Sequence, residues 1–105
     1  MAKDEVDGID REVTEEIVLR RDAKGLTNAY LSRETGMSER RLSVATRFGT
    51  PPFNVGEVHA LAAVLDTSAS EIVAIAETKI KHAQLRQALA NLPSIDQGRK
   101  HRQQR

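Results

Sequence analysis

The chain has 105 residues and no Cys, so it holds no disulfide framework, no thiolate metal site and no cysteine nucleophile. Hydrophobic residues make up 39% but aromatics only 3%, with no Trp, which allows one small domain with a thin core and offers little to line a substrate pocket. A formal net charge of +1 excludes a uniformly basic coating protein, yet that total hides a gradient: residues 1–16 carry two basic against seven acidic residues, 17–78 carry seven of each, and 79–105 carry seven basic against one acidic. No apolar run approaches the length of a membrane span and the first residues do not read as a signal peptide, so the expectation is a cytoplasmic domain without membrane contact.

Gly25, Gly36, Gly49, Gly56 and Pro51-Pro52 divide the body into short segments rich in helix formers and without apolar/polar alternation, so the fold class is all-α. A first helix is predicted from about Asp10 to Lys24. Ile9, Val13 and Ile17 recur on one face, acids crowd its start, Arg20, Arg21 and Lys24 crowd its end, and Gly25 stops it. Thr27 caps a second helix of about eight residues, with Ala29 and Leu31 inward and Gly36 at its end. Ser38 caps a third, from Glu39 to about Arg47, anchored by Leu42 and Ala45. Only Gly36 and Met37 separate the two, which forces them to cross steeply.

A loop from Phe48 to Phe53 follows. Asn54-Val-Gly-Glu57 has capping-box form and opens a fourth helix, whose apolar face is Val55, Val58, Leu61, Ala62 and Leu65. Ser68-Ala-Ser-Glu71 has the same form and opens a fifth through Ile72, Val73, Ile75 and Ala76. No breaker appears before Pro93, but the apolar stripe changes face ahead of Leu85, Leu89 and Leu92. Two readings stay open: a continuous helix to Asn91, or a kink or second short helix near residues 81–84. The organisation is then an acidic N-terminal segment at 1–9, a helical domain at 10–77, a helical extension at 78–92 and a basic polar tail at 93–105.

The functional signal lies in the second and third helices. Gly25-Leu-Thr-Asn-Ala-Tyr-Leu-Ser-Arg-Glu-Thr-Gly-Met-Ser38, then Arg41-Leu-Ser43, then Val58-His-Ala-Leu-Ala-Ala-Val-Leu65, resembles the phage-repressor family of the Cro and repressor type, also called the xenobiotic-response-element type. That family's pattern is Gly-Leu-Thr-Gln-Ala-x-Leu-Ala-x-x-Thr-Gly-Val-Ser, a recognition helix, a Leu-Ala-x-x-Leu helix and a Ser-x-x-Glu helix start. The resemblance covers residues 13–77. It implies a five-helix, lambda-repressor-like helix-turn-helix domain that binds double-stranded DNA as a homodimer in the cytoplasm of a bacterial host, associated with the nucleoid, and regulates transcription as a repressor of phage or prophage type.

The major groove admits one α-helix, provided neighbouring helices cross the phosphate backbone and hold it there. The free N–H groups at the starts of the second and third helices suit phosphate, and Thr27 and Ser38 sit at those starts. Asn28 stands where the family has a backbone-bracing Gln and is one methylene shorter. With Leu42 and Ala45 inward, the outward residues of the third helix are Glu39, Arg40, Ser43, Val44 and Arg47. Glu39, Arg40, Ser43 and Val44 fall at the family's base-reading positions. Arg40 suits O6 and N7 of guanine, Glu39 either accepts from the amino group of cytosine or only orients Arg40, and Val44 suits a thymine methyl. Arg41 and Arg47 are assigned to phosphate. Thr46 stands where many family members place a Glu that pairs with an Arg late in the first helix, so Arg21 is expected to face DNA or solvent instead.

No cofactor is implied, and an enzyme is not expected. His59, His82 and His101 lack metal-ligand spacing, and neither a phosphate-cradling glycine loop nor a Ser/His/Asp set is recognisable. The dimer surface is assigned to the late helix, Ile80 to Leu92, with packing of Leu85, Leu89 and Leu92 back onto the same domain as the equal alternative. The basic tail is expected to add non-specific affinity for DNA. A second function stays open: an antitoxin or protein-interaction adaptor on the same scaffold, meeting a protein partner through the acidic N-terminus or the C-terminal helix.

Overall fold

A computed structural model describes residues 7–92. The acidic stretch before residue 7 and the basic tail from residue 93 lie outside the described residues. Within them the protein is all-α: α1 is Gly8–Ala23, α2 Asn28–Thr35, α3 Glu39–Thr46, α4 Val55–Val64 and α5 Ala69–Ala90.

Local chemistry sets each boundary. Gly25, at φ +68°, follows α1, and Leu26 N–H returns to the Arg21 carbonyl at 3.0 Å. Thr27 Oγ1 accepts from Tyr30 N–H at 3.0 Å to start α2, and Gly36, at φ +82°, ends it in the left-handed region. Ser38 Oγ accepts from Arg41 N–H at 3.0 Å to start α3. Asn54 and Glu57 form a complete capping box at the start of α4. The expected second box is only half made. Ser68 Oγ accepts from Glu71 N–H, but the Glu71 carboxylate takes the Thr67 hydroxyl at 3.0 Å and Arg20 at 3.3 Å instead of returning to Ser68.

α1 packs chiefly on α5, α2 on α3 and α4, α1 also on α3, and α4 on α5. Their shared core holds Val13, Ile17, Leu31, Leu42, Phe53, Leu61, Leu65 and Ile72, together with Ala45, Ala62 and Ala76. Three expected core positions differ. Ala29 is exposed, because it lies two residues, or about 200° of helix rotation, from the inward Leu31. Val55 is 75% exposed and Ile9 is 38% exposed. Both sit at the first turn of their helices and line the mouth of a cleft of about 150 Å³ over Val13, Phe53, Val58 and Val73, where no described element covers them.

α5 runs unbroken for 22 residues, so no second short helix begins near residues 81–84. Its first half belongs to the core through Ala69, Ile72 and Ala76, whereas every residue from 81 to 92 is exposed. The leucines therefore do not fold back onto their own domain. No single described helix is long and apolar enough to cross a membrane.

Candidate nucleic-acid interface

α2 and α3 pack on each other, and each begins at a capped N-terminus, Thr27 for α2 and Ser38 for α3. Capping by Thr27 and Ser38 takes up Tyr30 N–H and Arg41 N–H, and their carbonyls take up Leu31 N–H and Leu42 N–H. The first two N–H groups of each helix, those of Asn28 and Ala29 and those of Glu39 and Arg40, therefore lack an intrahelical acceptor. A helix start of this kind carries partial positive charge and points donors at whatever anion approaches.

The outward face of α3 holds most of the residues singled out from the sequence. Glu39, Arg40 and Arg47 are exposed, and Ser43 and Val44 are half-buried. Arg47 Nη2 donates to Ser43 Oγ at 2.7 Å and Arg47 Nε to the Ser43 carbonyl at 3.1 Å, so this guanidinium lies along its own helix. Ser38, Arg40 and Val44 line a shallow depression of about 290 Å³ with Arg41, Thr50 and Pro51. Thr50 and Pro51 come to this face only through the path of the loop, and nothing in their local sequence marked them for it.

Arg40 differs from its neighbours. Arg20 pairs with Glu16 and Glu71, Arg21 with Asp22 and Asn28, and Lys24 with Asp66. Arg11 lies 4.1 Å from the Phe48 ring centroid and Arg33 5.5 Å from that of Tyr30, and Arg47 lies on Ser43. Arg40 makes no hydrogen bond, ion pair or ring contact among the described residues, and it is the one cation of α1 to α4 of which that is true.

Arg41, assigned to phosphate from the sequence, is engaged within the fold. Its guanidinium donates to Glu57 Oε2 at 3.0 Å and Oε1 at 2.8 Å, to the Pro51 carbonyl at 2.6 Å and to the Pro52 carbonyl at 2.8 Å. Four of the five N–H groups a guanidinium carries are thereby used within the fold. Both side chains are largely covered, Arg41 22% and Glu57 20% exposed. The bonds from Arg41 hold the Glu57 carboxyl below the usual carboxylate range, with help from the Asn54 N–H, against the opposing effect of burial. Glu57 thus joins three elements: it completes the cap of α4, anchors α3 and, through Arg41, fastens the Pro51-Pro52 loop.

Arg21 takes a position the sequence left between DNA and solvent. Its Nη1 donates to Asn28 Oδ1 at 2.9 Å, which fixes the Asn28 amide with its oxygen toward α1 and its amino group free to donate elsewhere. Thr46 is buried, and its hydroxyl donates to the Leu42 carbonyl at 2.7 Å. The loop after α3 is held closely as well. A Cβ on Gly49 would stand 2.7 Å from Val44 Cγ1 and 2.9 Å from the Val44 carbonyl oxygen, so only glycine fits there.

No group of three or more His, Asp or Glu side chains that could hold a metal comes together among the described residues. Comparison with known proteins finds no matching family model, no matching curated protein and no matching solved structure.

Proposed function

We propose that this protein is a helix-turn-helix, sequence-specific binder of double-stranded DNA that regulates transcription as a repressor, with α3 as its recognition helix. The observation that carries the reading is Arg40: an exposed guanidinium without a partner among the described residues, on the outward face of a short helix whose other cations are held by the fold. Cations on the body of a small protein lower their energy by pairing with nearby carboxylates. One left free in the first turn of a helix is suited to an anionic or acceptor-rich partner, and guanine offers two acceptors at guanidinium spacing in the major groove.

The surroundings favour the same reading. The free N–H groups of α2 and α3 and the amino group of Asn28, left over by its bond from Arg21, suit phosphates flanking a groove. Arg41, Glu57 and the proline loop fix α3 against α4, so a recognition helix would enter the groove without rearranging. Glu39, one residue from Arg40, suits the amino group of cytosine or steers the Arg40 guanidinium. The resemblance to the phage-repressor pattern at residues 25–38 and 58–65 agrees with this arrangement of helices.

The test is equilibrium binding of the full chain to double-stranded DNA from its own upstream region, against a scrambled duplex of equal length and composition. The reading expects tighter binding to the upstream duplex, with a separation that survives added salt, because base contacts depend less on counterion release than phosphate contacts do. Equal affinity for both duplexes at every salt concentration would contradict it.

A further inference from the structure

The last twelve described residues, 81–92, are all exposed, and on them stand three large apolar side chains: Leu85 at 57%, Leu89 at 59% and Leu92 at 43% exposed. At 100° per residue these leucines fall within about 60° of one another, on the side of α5 opposite the core residues Ile72 and Ala76. The same side continues into the first half of α5 as Ala74 and Thr78, both exposed. There the surface is small and hollow. Ala74 and Thr78 line two adjoining shallow depressions, one with Ile75 and Lys79 and the other with Glu77 and Lys81. One face of one helix is therefore bulky at its C-terminal end and recessed at its N-terminal end.

Charge follows the same division. Both acids of α5, Glu71 and Glu77, lie in its first half beside one base, Lys79, whereas its second half carries two bases, Lys81 and Arg86, and no acid. A surface of this kind is self-complementary in one orientation only. Parallel pairing of two copies sets leucine against leucine, hollow against hollow and base against base. Antiparallel pairing sets the leucines of each copy into the hollows of the other and the basic half against the acidic half. A twofold axis requires that sort of reciprocity, in which each patch meets its complement twice.

We infer that the outward face of α5 docks antiparallel on the same face of a second copy of this chain. Leu85 meets the partner's Thr78 and Leu89 meets the partner's Ala74, which puts the twofold axis between residues 81 and 82. The core side of α5, with Ile72 and Ala76, lies opposite the contact and is untouched by it. The inference rests on α5 alone and holds whether or not the protein binds DNA.

The chain has no Cys, so engineered thiols report geometry without background. In the full chain, His82→Cys puts two thiols beside the axis, where a short bis-thiol crosslinker joins the copies. Leu89→Cys puts them about 22 Å apart in the antiparallel pair, where the same reagent joins nothing, but side by side in a parallel pair. Light scattering should give about twice the 11.6 kDa of one chain, and the double variant Leu85→Glu/Leu89→Glu should return it to one chain. Because these leucines lie outside the core, the double variant should keep the helical signal and cooperative unfolding of a folded body. Crosslinking at residue 82 but not at 89, with dissociation of the glutamate variant, is the expected result. A monomer at all concentrations, equal crosslinking at both positions, or a dimer that survives both glutamates would each overturn the inference.

Discussion

Replacing Arg41 by Ala separates the two roles its position suggests. As a phosphate anchor, Arg41 would affect DNA binding and leave stability alone. As the joint seen in the structure, it affects stability first. The substitution removes two charge-assisted hydrogen bonds to Glu57 and two bonds to proline carbonyls, and it leaves a carboxylate 20% exposed with only the Asn54 N–H and Glu57's own helix start to satisfy it. An exposed ion pair contributes about 0–1 kcal/mol, and breaking a fully buried one costs about 3–5 kcal/mol. Arg41 and Glu57, about four-fifths covered, lie between these limits, so the expected loss is about 2–3 kcal/mol. At roughly 4–8 °C per kcal/mol for a domain of this size, Tm should fall by roughly 10–20 °C. Thermal and urea unfolding, followed by far-ultraviolet circular dichroism, measure this directly. Glu57→Ala should cost a similar amount, and the double variant should cost much less than the two losses added together. An Arg41→Ala protein as stable as the parent, with weakened DNA binding on all sequences alike, would refute the reasoning and return Arg41 to the phosphates.

Three further outcomes follow from the same geometry. The folded-state pKa of Glu57 lies below its unfolded value, so its stabilising contribution is complete above about pH 4.3 and disappears as pH falls through the lower folded value. Glu57→Gln should therefore flatten the acid limb of the stability curve, and identical acid limbs for the two proteins would contradict the assignment. Gly49→Ala drives a methyl group against the Val44 carbonyl, which belongs to the helix backbone and cannot swing away, so unfolding measurements should show a loss of about 1–3 kcal/mol, whereas a neutral substitution would mean the loop is not held this way. Arg40→Ala should leave Tm within about 1 °C of the parent while costing roughly 1–3 kcal/mol of DNA affinity and relaxing preference at one base position; a large drop in Tm would mean that Arg40 serves the fold.

The division between what could and could not be read from the sequence follows the range of the forces involved. Thr27, Ser38 and Asn54 were legible as caps because a cap bonds to an N–H three residues away and needs no tertiary partner. Gly25 and Gly36 were legible because ending these helices takes positive φ, which glycine adopts without strain. The face of α3 was legible because Leu42 and Ala45 fix its rotation. The internal bonds of Arg41 were not legible because its partners lie ten to sixteen residues on, in a loop whose path no local pattern encodes and in the helix beyond it. Glu57 was recognised as a capping residue but not as the acceptor for α3, since one carboxylate performs both tasks and only the first has a sequence signature. Arg21 was left between DNA and solvent because its partner, Asn28, comes within reach only after the chain turns at Gly25. Ala29 and Val55 were placed inward on hydrophobic character, although rotation from Leu31 carries the first outward and position at a helix's open end exposes the second.

Selection from a pool of random double-stranded DNA tests the central proposal most directly, with the parent chain and Arg40→Ala run side by side. The account predicts that the parent enriches a defined sequence, arranged as an inverted repeat with half-site centres about 10 base pairs or a multiple of that apart, and that Arg40→Ala enriches the same repeat with one position in each half-site relaxed. A parent chain that enriches nothing, or an Arg40→Ala protein that selects the identical sequence with equal stringency, would contradict it.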